Sequence, residues 1–406
     1  HMGRNSFAFV DVVKNQEKSV YKNWFTIKSW DDQILGTKFE YQGWFGVPDL
    51  PEIKEDSTGI VAEPKKYIFD CTKRWMSPDG ITANGIDGWR LDVAFCVDHD
   101  FWKSWRIHVK SINPEAYLTA EVVDKPEVVK PYLYRDEFDA VMNYGFAVIA
   151  SEFFINNNNR ISVSQFDSLL SQLRSAYGYD MSLVMQNLYD SHDTQRFTSY
   201  LINNDVARFR TWGDYFNKTK AENPVYNTSK PDALAYKKQM LMTLFQYTYP
   251  GAPMVYYGDE VGMWGANDPD CRKPMVWEEF NYDNEVYNYN GSKRATPDKV
   301  YVEKSLLAYY QQLGKLHQQA VLQKGDFKPL LLDDVAQVYV FSRTYNNKTA
   351  IVIINNSDKN QRVEFFNQPG LNYTEYFSGN PVKLNNNFIQ IECAALSGQV
   401  LFSINN

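Results

Sequence analysis

Three carboxylic acids stand at the ends of short, strand-like runs in the first half of the chain. They are Asp92 after Gly88–Leu91, Glu121 after Tyr117–Ala120, and Asp193 near the end of Leu188–Thr194. A single acid in such a position usually caps a helix or lies in a solvated loop. Carboxyl groups that converge can act as a nucleophile and as a general acid or base. The spacing favours one catalytic site if the fold brings the three strand ends together.

The pattern between residues 58 and 320 predicts a fold of that kind. Apolar runs alternate with helical faces, one through Tyr67 and Trp75, another through Phe101 and Val109, and a long helix over Ala233–Thr248. Strands separated by helices indicate βα units and a parallel sheet. In a (β/α)8 barrel the carboxyl ends of the strands form the rim that carries the active site.

The two ends of the chain differ from this central region. The first 57 residues are irregular and aromatic and predict no helix, whereas alternating strands such as Ala336–Arg343 and Thr349–Asn355 indicate an antiparallel β-sandwich near the carboxyl end. We therefore predict a domain B-like segment over residues 1–57, a barrel region with strands 4 to 8 over 58–320, and a C-terminal β-sandwich over 321–406.

The composition limits the classes of binding partner and metal site that the sequence supports. A net charge of −7 gives no reason to expect a nucleic-acid partner, and no apolar run approaches the length of a membrane span. The four cysteines lack CxxC spacing, which argues against structural zinc. The 28 Tyr, 25 Phe and 10 Trp residues fit two interpretations, a tyrosine-rich core and surface or a cleft in which aromatic rings pack on sugar rings.

Motifs around the three acids resemble the α-amylase superfamily, glycoside hydrolase family 13. The motifs are Gly88-Trp89-Arg90-Leu91-Asp92, Ala120-Glu121-Val122, Phe138–Tyr144, Ser191-His192-Asp193-Thr194 and Gly251–Glu260, which match strands four to eight in order. Asp268-Pro269-Asp270-Cys271-Arg272 and Leu50-Pro51-Glu52-Ile53 are similar to the neopullulanase and cyclomaltodextrinase branch. The resemblance implies a (β/α)8 barrel with a short domain B and a C-terminal β-sandwich.

The resemblance implies a retaining double displacement on α-glucans. Asp92 would be the nucleophile, Glu121 the general acid/base and Asp193 the carboxylate that stabilises the transition state. Six further residues would contact the sugar: Arg90, His192, His1, Arg272, Asp268 and Trp44. The chemistry needs no cofactor and no catalytic metal. A structural calcium ion is known in the family, but Phe95 and Cys96 stand where many α-amylases have Lys-His, so this sequence does not indicate one.

Where the first barrel strands lie is a separate question. The first recognisable strand is the fourth, and His1 is either a cloning remnant or the histidine that ends strand three. We favour the second interpretation and expect a carboxy-terminal piece of a longer protein. A barrel without three strands would expose two sheet edges, so we expect residues 1–406 alone to be insoluble or inactive.

Several functions and one insertion remain open at this stage. A hydrolase, a transglycosylase of the same family and a non-catalytic carbohydrate-binding relative share the fold, and a homodimer is compatible with each. The branch often has Glu at the position of Cys96, so the sequence leaves open whether water or a sugar is the acceptor. The insertion before Ala233 contains Trp212 and Tyr215, which either line the sugar cleft or pack the insertion onto outer helices.

Overall fold

The computed structural model describes residues 1–155, 160–203, 212–367, 370–385 and 387–404. The chain divides into two units, residues 1–123 with 129–141 and residues 124–128 with 142–406. Within the described ranges, no helix is both long and apolar enough to cross a membrane.

The first unit contains a parallel sheet preceded by an irregular segment with short antiparallel pairs. Its elements are α1 (Phe7–Asn15), β1 (Ile27–Ser29), β2 (Glu40–Tyr41), β3 (Glu55–Asp56), β4 (Gly59–Ile60), α2 (Ala62–Met76), β5 (Gly88–Leu91), α3 (His99–Ile112), β6 (Tyr117–Ala120) and β7 (Ala140–Val141). Strands β5, β6 and β7 pair in parallel in that order. The predicted βα pattern is confirmed for this part of the chain.

A glycine permits the close approach of β5 and β6. A Cβ atom at Gly88 would lie 2.1 Å from the carbonyl oxygen of Tyr117, so a larger residue would push the strands apart. Helix α3 follows β5, and its amino end is capped by the Asp98 side chain, which accepts a hydrogen bond from the Asp100 amide. The predicted apolar face through Phe101 and Val109 is buried.

Two expectations for the first unit are wrong. Residues 1–57 do contain a helix, α1, whose face Ala8, Phe9 and Val12 is fully buried against aromatic neighbours. The missed signal is a short i, i+1, i+4 pattern among residues that are themselves mostly apolar. The face predicted through Tyr67 and Trp75 on α2 is only partly buried, because Tyr67 packs on Phe7 and Trp24 whereas Trp75 is largely exposed. The residues that this helix buries fully are Pro64, Thr72 and Met76.

The second unit combines helices with antiparallel strands. Short helix α4 (Pro126–Val129) falls where the two ranges meet in sequence. The unit's elements are α5 (Tyr144–Phe154), α6 (Val163–Tyr177), α7 (Tyr179–Ser182), β8 (Gln186–Asn187), α8 (Phe197–Ile202), α9 (Trp212–Thr219), α10 (Ala233–Thr248), β9 (Ala252–Pro253), β10 (Glu285–Tyr287), β11 (Lys293–Asp298), α11 (Lys304–His317), α12 (Ala320–Lys324), β12 (Asp326–Asp333), β13 (Val338–Tyr345), β14 (Lys348–Asn355), β15 (Gln361–Phe366), β16 (Asn372–Glu375), β17 (Leu384–Asn385), β18 (Phe388–Cys393) and β19 (Ser397–Ile404).

The last strands of the second unit form the predicted antiparallel sandwich. Among the residues described, one sheet has the order β12-β13-β14-β19-β16 and the other β15-β18-β17. Apolar side chains from both sheets, including Val340, Ile353, Val363 and Ile389, pack between them. The opposite face of the larger sheet contributes to a core that also contains residues of α5, α6 and α10. One sheet therefore serves two cores.

Candidate active site

Asp92 and Glu121 occupy equivalent positions after adjacent strands. The register pairs Leu91 of β5 with Ala120 of β6, so the next residue of each strand is one of the two acids. The Glu121 amide donates to the Leu91 carbonyl at 2.9 Å, which continues the parallel ladder by one step. The strand register thus brings the predicted nucleophile and the predicted acid/base together.

Arg90 holds both acids. Its side chain is ion-paired to Asp92 through Nη1 and to Glu121 through Nη2, the latter at 2.6 Å without hydrogen-bond alignment. Arg90 and Asp92 are two residues apart and project on the same side of the chain. Glu121 is 8% exposed at its side chain whereas Asp92 is 61% exposed, so the two acids have different access to solvent.

The backbone after Asp92 is unusual. Val93 has φ 46° and ψ 47°, a left-handed conformation that a β-branched residue rarely adopts. Its amide donates to Glu121 Oε2 at 3.0 Å, and the next amide, of Ala94, donates to the Glu121 carbonyl at 3.1 Å. These bonds compensate for the strain and tie the turn that follows Asp92 to Glu121. No pattern among the residue types predicts this turn.

Two of the predicted sugar contacts lie together in the first unit. The Trp44 indole lies 4.6 Å from the His1 imidazole and 4.5 Å from the Phe45 ring, as centroid distances. Burial raises the pKa of the Cys96 thiol, and a side-chain hydrogen bond with Trp44 acts in the opposite direction. The residue at the branch's specificity position therefore contacts one of the predicted binding residues.

In the second unit, Asp193 lies at the tip of a loop that follows β8. Its Oδ1 is 3.0 Å from Arg272 Nη2, and its Oδ2 is 3.3 Å from His192 Nε2. Arg272 also pairs through Nε with Asp268 Oδ1 at 2.7 Å and donates to the carbonyl oxygen of His192. The structure thus groups three predicted residues around Arg272, which is itself a predicted contact. The convergence of Asp193 with Asp92 and Glu121 stays a prediction.

The segment before Ala233 has one residue whose position bears on the open interpretations. Tyr215 is buried, and its hydroxyl accepts a hydrogen bond from the Gln195 amide at 3.2 Å. This contact joins Tyr215 to the loop that carries Asp193, and both interpretations of the insertion stay predictions. The side chain of Trp212 lies outside the described residues, so its predicted role is not addressed.

No group of three or more His, Cys, Asp or Glu residues has a metal-binding arrangement in the part of the chain that is described. The expectations about calcium and cofactors stay predictions from the sequence. They rest on Phe95 and Cys96 and on the chemistry of double displacement.

Comparison with known proteins decides the family. Residues 1–325 match the model of the alpha amylase catalytic domain, and residues 325–374 match that of the alpha-amylase C-terminal domain. The chain belongs to the α-amylase family. Membership confirms the predicted fold class, a (β/α)8 barrel with a C-terminal antiparallel β-sandwich, and the resemblance on which that prediction rested.

Among α-amylase family members, the chain is similar to neopullulanase 2 of Thermoactinomyces vulgaris, with 34% identity over 365 residues, 89% of this chain and 51% of that protein. A cyclomaltodextrinase of Bacillus sp is 34% identical over 357 residues, 88% of this chain and 52% of that protein. A solved cyclomaltodextrinase structure aligns with a TM-score of 0.74 at 29% identity, covering 100% of this chain and 58% of the other. The chain spans about half the length of the curated relatives it matches.

Proposed function

We propose that the protein is a retaining glycoside hydrolase that cleaves α-1,4-glucosidic bonds in maltooligosaccharides, cyclodextrins, pullulan or starch, with α-1,6 bonds as a further class to test. The observation that carries this proposal is the pair of acids on adjacent, in-register strands that share Arg90. Relatives named neopullulanase, cyclomaltodextrinase and intracellular maltogenic amylase support the substrate class.

The proposed reaction assigns one role to each acid of the pair. The Asp92 carboxylate attacks the anomeric carbon and forms a glycosyl-enzyme ester, while Glu121 gives its proton to the departing glycosidic oxygen. Glu121 then removes a proton from water, which attacks the same carbon and releases Asp92. Two inversions leave the product with the α configuration. Arg90 places a fixed positive charge beside the nucleophile throughout.

Asp193 acts on the charge that develops between these two steps. The transition state has oxocarbenium character, so a carboxylate beside the sugar ring stabilises it more than the ground state. Arg272 and His192 hold this carboxylate on both oxygens, and they leave its side chain 26% exposed for a substrate. His192, Arg272 and Asp268 contact sugar hydroxyls in the same proposal, and His1 and Trp44 contact the sugar on the side of the nucleophile.

The test is the set of products that the purified full-length protein makes from maltoheptaose, β-cyclodextrin and pullulan. We expect hydrolysis of at least one of them, and proton NMR should show the α anomer first. First appearance of the β anomer would exclude double displacement. The Asp92→Ala variant, purified in the same way, is the control for contaminating amylases, because their activity would be equal in both preparations.

A transglycosylase is the second candidate, because Cys96 replaces the Glu that the branch often has after the nucleophile. A half-buried thiol in contact with Trp44 is less polar than a carboxylate and favours a sugar over water as acceptor. Products longer than maltoheptaose, formed early in the same reaction, would favour this candidate. Binding without any product would favour the non-catalytic carbohydrate-binding relative.

A further inference from the structure

The loop that carries His192 and Asp193 has a polar base that is entirely buried. Asp190, Ser191, Thr194 and Gln195 are all buried, whereas the side chains at the tip are partly exposed. Asp190 Oδ2 accepts a hydrogen bond at 2.8 Å from the amide of Phe197, which closes the loop across its two ends. Burying so many polar groups is costly unless they are bonded, so the base needs an explanation.

Arg196 is the most unusual member of this base. It is 0% exposed, and its guanidinium lies 4.6 Å and 4.7 Å from the ring centroids of Tyr256 and Tyr257. Nη1 donates to the Tyr257 carbonyl at 2.5 Å and lies 3.8 Å from Asp259 Oδ1. Among the described residues, Nε and Nη2 find no hydrogen-bond partner. A structural arginine at this depth would be expected to satisfy more of its donors.

Asp259 completes the charge balance beneath the loop. Its carboxyl group is buried, and burial first, then the neighbouring Asp190, raises its pKa well above the usual range. The other groups near it are Arg196, which opposes this shift, Glu260, which adds to it, and the hydroxyl of Tyr310. A raised pKa favours the protonated form of Asp259, and together with an ionised Asp190 this form carries one negative charge, which matches the single charge of Arg196.

These groups also connect the loop to the segment that contains Arg272, the ion-pair partner of Asp193. The backbone amide of Arg196 donates to Gly265, and its side chain binds Tyr257, so one residue contacts both ends of the stretch 257–265. A few residues later, Cys271 Sγ and Arg272 Nε both bond to the His192 carbonyl oxygen. A shift of the base would therefore move the loop tip against Arg272.

We propose that Arg196 and the Asp190–Asp259 carboxyl pair are positioning residues that fix the His192-Asp193 tip for the transition state without touching the sugar. The inference rests on the proposed function, because it assigns Asp193 a transition-state role. A tip that moves by about 1 Å can cost roughly 100-fold in rate, since the interaction depends on placement. Arg196 and the two carboxyl groups therefore affect kcat, whereas KM depends mainly on groups that contact substrate in the ground state.

The test compares Arg196→Met with Arg343→Met in the full-length protein. Arg343 is also 0% exposed, and its guanidinium donates to the backbone carbonyls of Gly325, Asp326 and Thr248, none of which belongs to the loop 190–197, so it is a matched structural control. We expect Arg196→Met to lower kcat on maltoheptaose by about 100-fold with KM changed less than about two-fold. Arg343→Met should lower Tm and leave kcat per folded molecule unchanged.

The carboxyl pair gives a conservative rescue. Asp259→Asn keeps a neutral group that can donate to Asp190, so kcat should stay within about two-fold of the wild type. Asp259→Leu removes that donor and should lower kcat as Arg196→Met does. Loss of activity in Asp259→Asn equal to that in Asp259→Leu would overturn the proposal.

Hydrogen exchange separates this inference from the proposed function. Arg196→Met should increase exchange of the amides of residues 191–197, and Arg343→Met should not. This result does not depend on whether the protein has catalytic activity. If the wild type has no activity on any α-glucan, the proposed function fails and exchange still decides whether Arg196 fixes the loop. Unchanged exchange in Arg196→Met, or a kcat loss that only follows the loss of folded protein, would refute the positioning role.

Discussion

The surroundings of Asp92 and those of Asp193 hold a predicted catalytic carboxylate in two different ways. Asp92 is paired with an arginine two residues earlier on the same strand, and that arginine reaches Glu121 on the neighbouring strand. Asp193 stands on a loop tip and is paired with Arg272, 79 residues later in the chain. The first arrangement follows from the register of two parallel strands. The second depends on side chains that join separate segments.

This difference predicts where the protein tolerates change. A strand register shared by several backbone hydrogen bonds resists single substitutions, so the nucleophile and acid/base should keep their geometry while partners vary. A loop held by an ion pair and buried polar groups should respond to each lost contact. Substitutions around Asp92 should therefore alter the reactivity of the acids, and substitutions around Asp193 should alter the position of its carboxylate.

The largest effect should come from Asp92 itself. Asp92→Ala removes the proposed nucleophile, and kcat on maltoheptaose should fall by about 10⁴-fold or more, while oligosaccharide binding measured by calorimetry persists. The matched control is Asp98→Ala, six residues later, which removes the cap of α3 and costs about 1 kcal/mol of stability. Activity retained in Asp92→Ala would end the assignment.

Lysine substitutions of the two arginines compare the regions directly. Arg90→Lys leaves one ammonium for two carboxylates and loses the planar fork, so kcat should fall by about 100-fold. Arg272→Lys can still pair with Asp193 from its more exposed position, and about 10-fold is expected. Steady-state kinetics on maltoheptaose measure both. A larger loss for Arg272→Lys than for Arg90→Lys would reverse the proposed contrast.

A smaller effect is expected at Trp44. Trp44→Ala removes a ring that contacts His1 and Phe45, and an aromatic contact of about 0.5–1.5 kcal/mol corresponds to roughly a 2- to 12-fold rise in KM. Trp44→Phe should recover most of this affinity because it keeps a flat ring. If KM for maltoheptaose is the same in all three proteins, Trp44 does not bind the sugar.

The smallest change should follow from Asp268→Asn. The Asp268–Arg272 pair is partly exposed, and such pairs contribute about 0.2–1 kcal/mol. Arg272 keeps its bonds to Asp193 and to the His192 carbonyl, so kcat should change by less than about five-fold. High salt screens the Asp268–Arg272 pair, so the kcat of the wild type should fall toward that of the variant. A loss as large as that of Arg272→Lys would mean that Asp268 itself contacts substrate.

Sequence periodicity predicted long elements well and short ones poorly. Helix α10 has the predicted bounds Ala233–Thr248, because sixteen residues with an Asp232 cap give a clear signal. The apolar run before Asp193 pairs only over Gln186–Asn187, since such a run does not reveal how many of its residues form a strand. Helix α1 was missed because its apolar residues are not spaced by polar ones.

At the candidate site, what could be predicted depended on distance along the chain. The acids and Arg90 lie in contiguous motifs, so their types and order were visible in the sequence. The roles proposed for Arg196 and Asp259 were not visible, because they depend on burial and on an ion pair between residues 63 positions apart in the chain. Periodicity reports which face of an element is apolar, but it carries no information on which buried polar side chains meet.

The larger C-terminal sheet has a consequence for how the protein is made. Phe146 and Phe245 on helices share a core with Phe341, Val352 and Val400 on strands. At roughly 5–20 residues per second, ribosomes need about 8–30 s to proceed from Phe245 to Val400. During that interval the apolar faces of the helices lack their covering strands. Nascent chains should bind chaperones in this window, and slower translation of the last strands should increase aggregation.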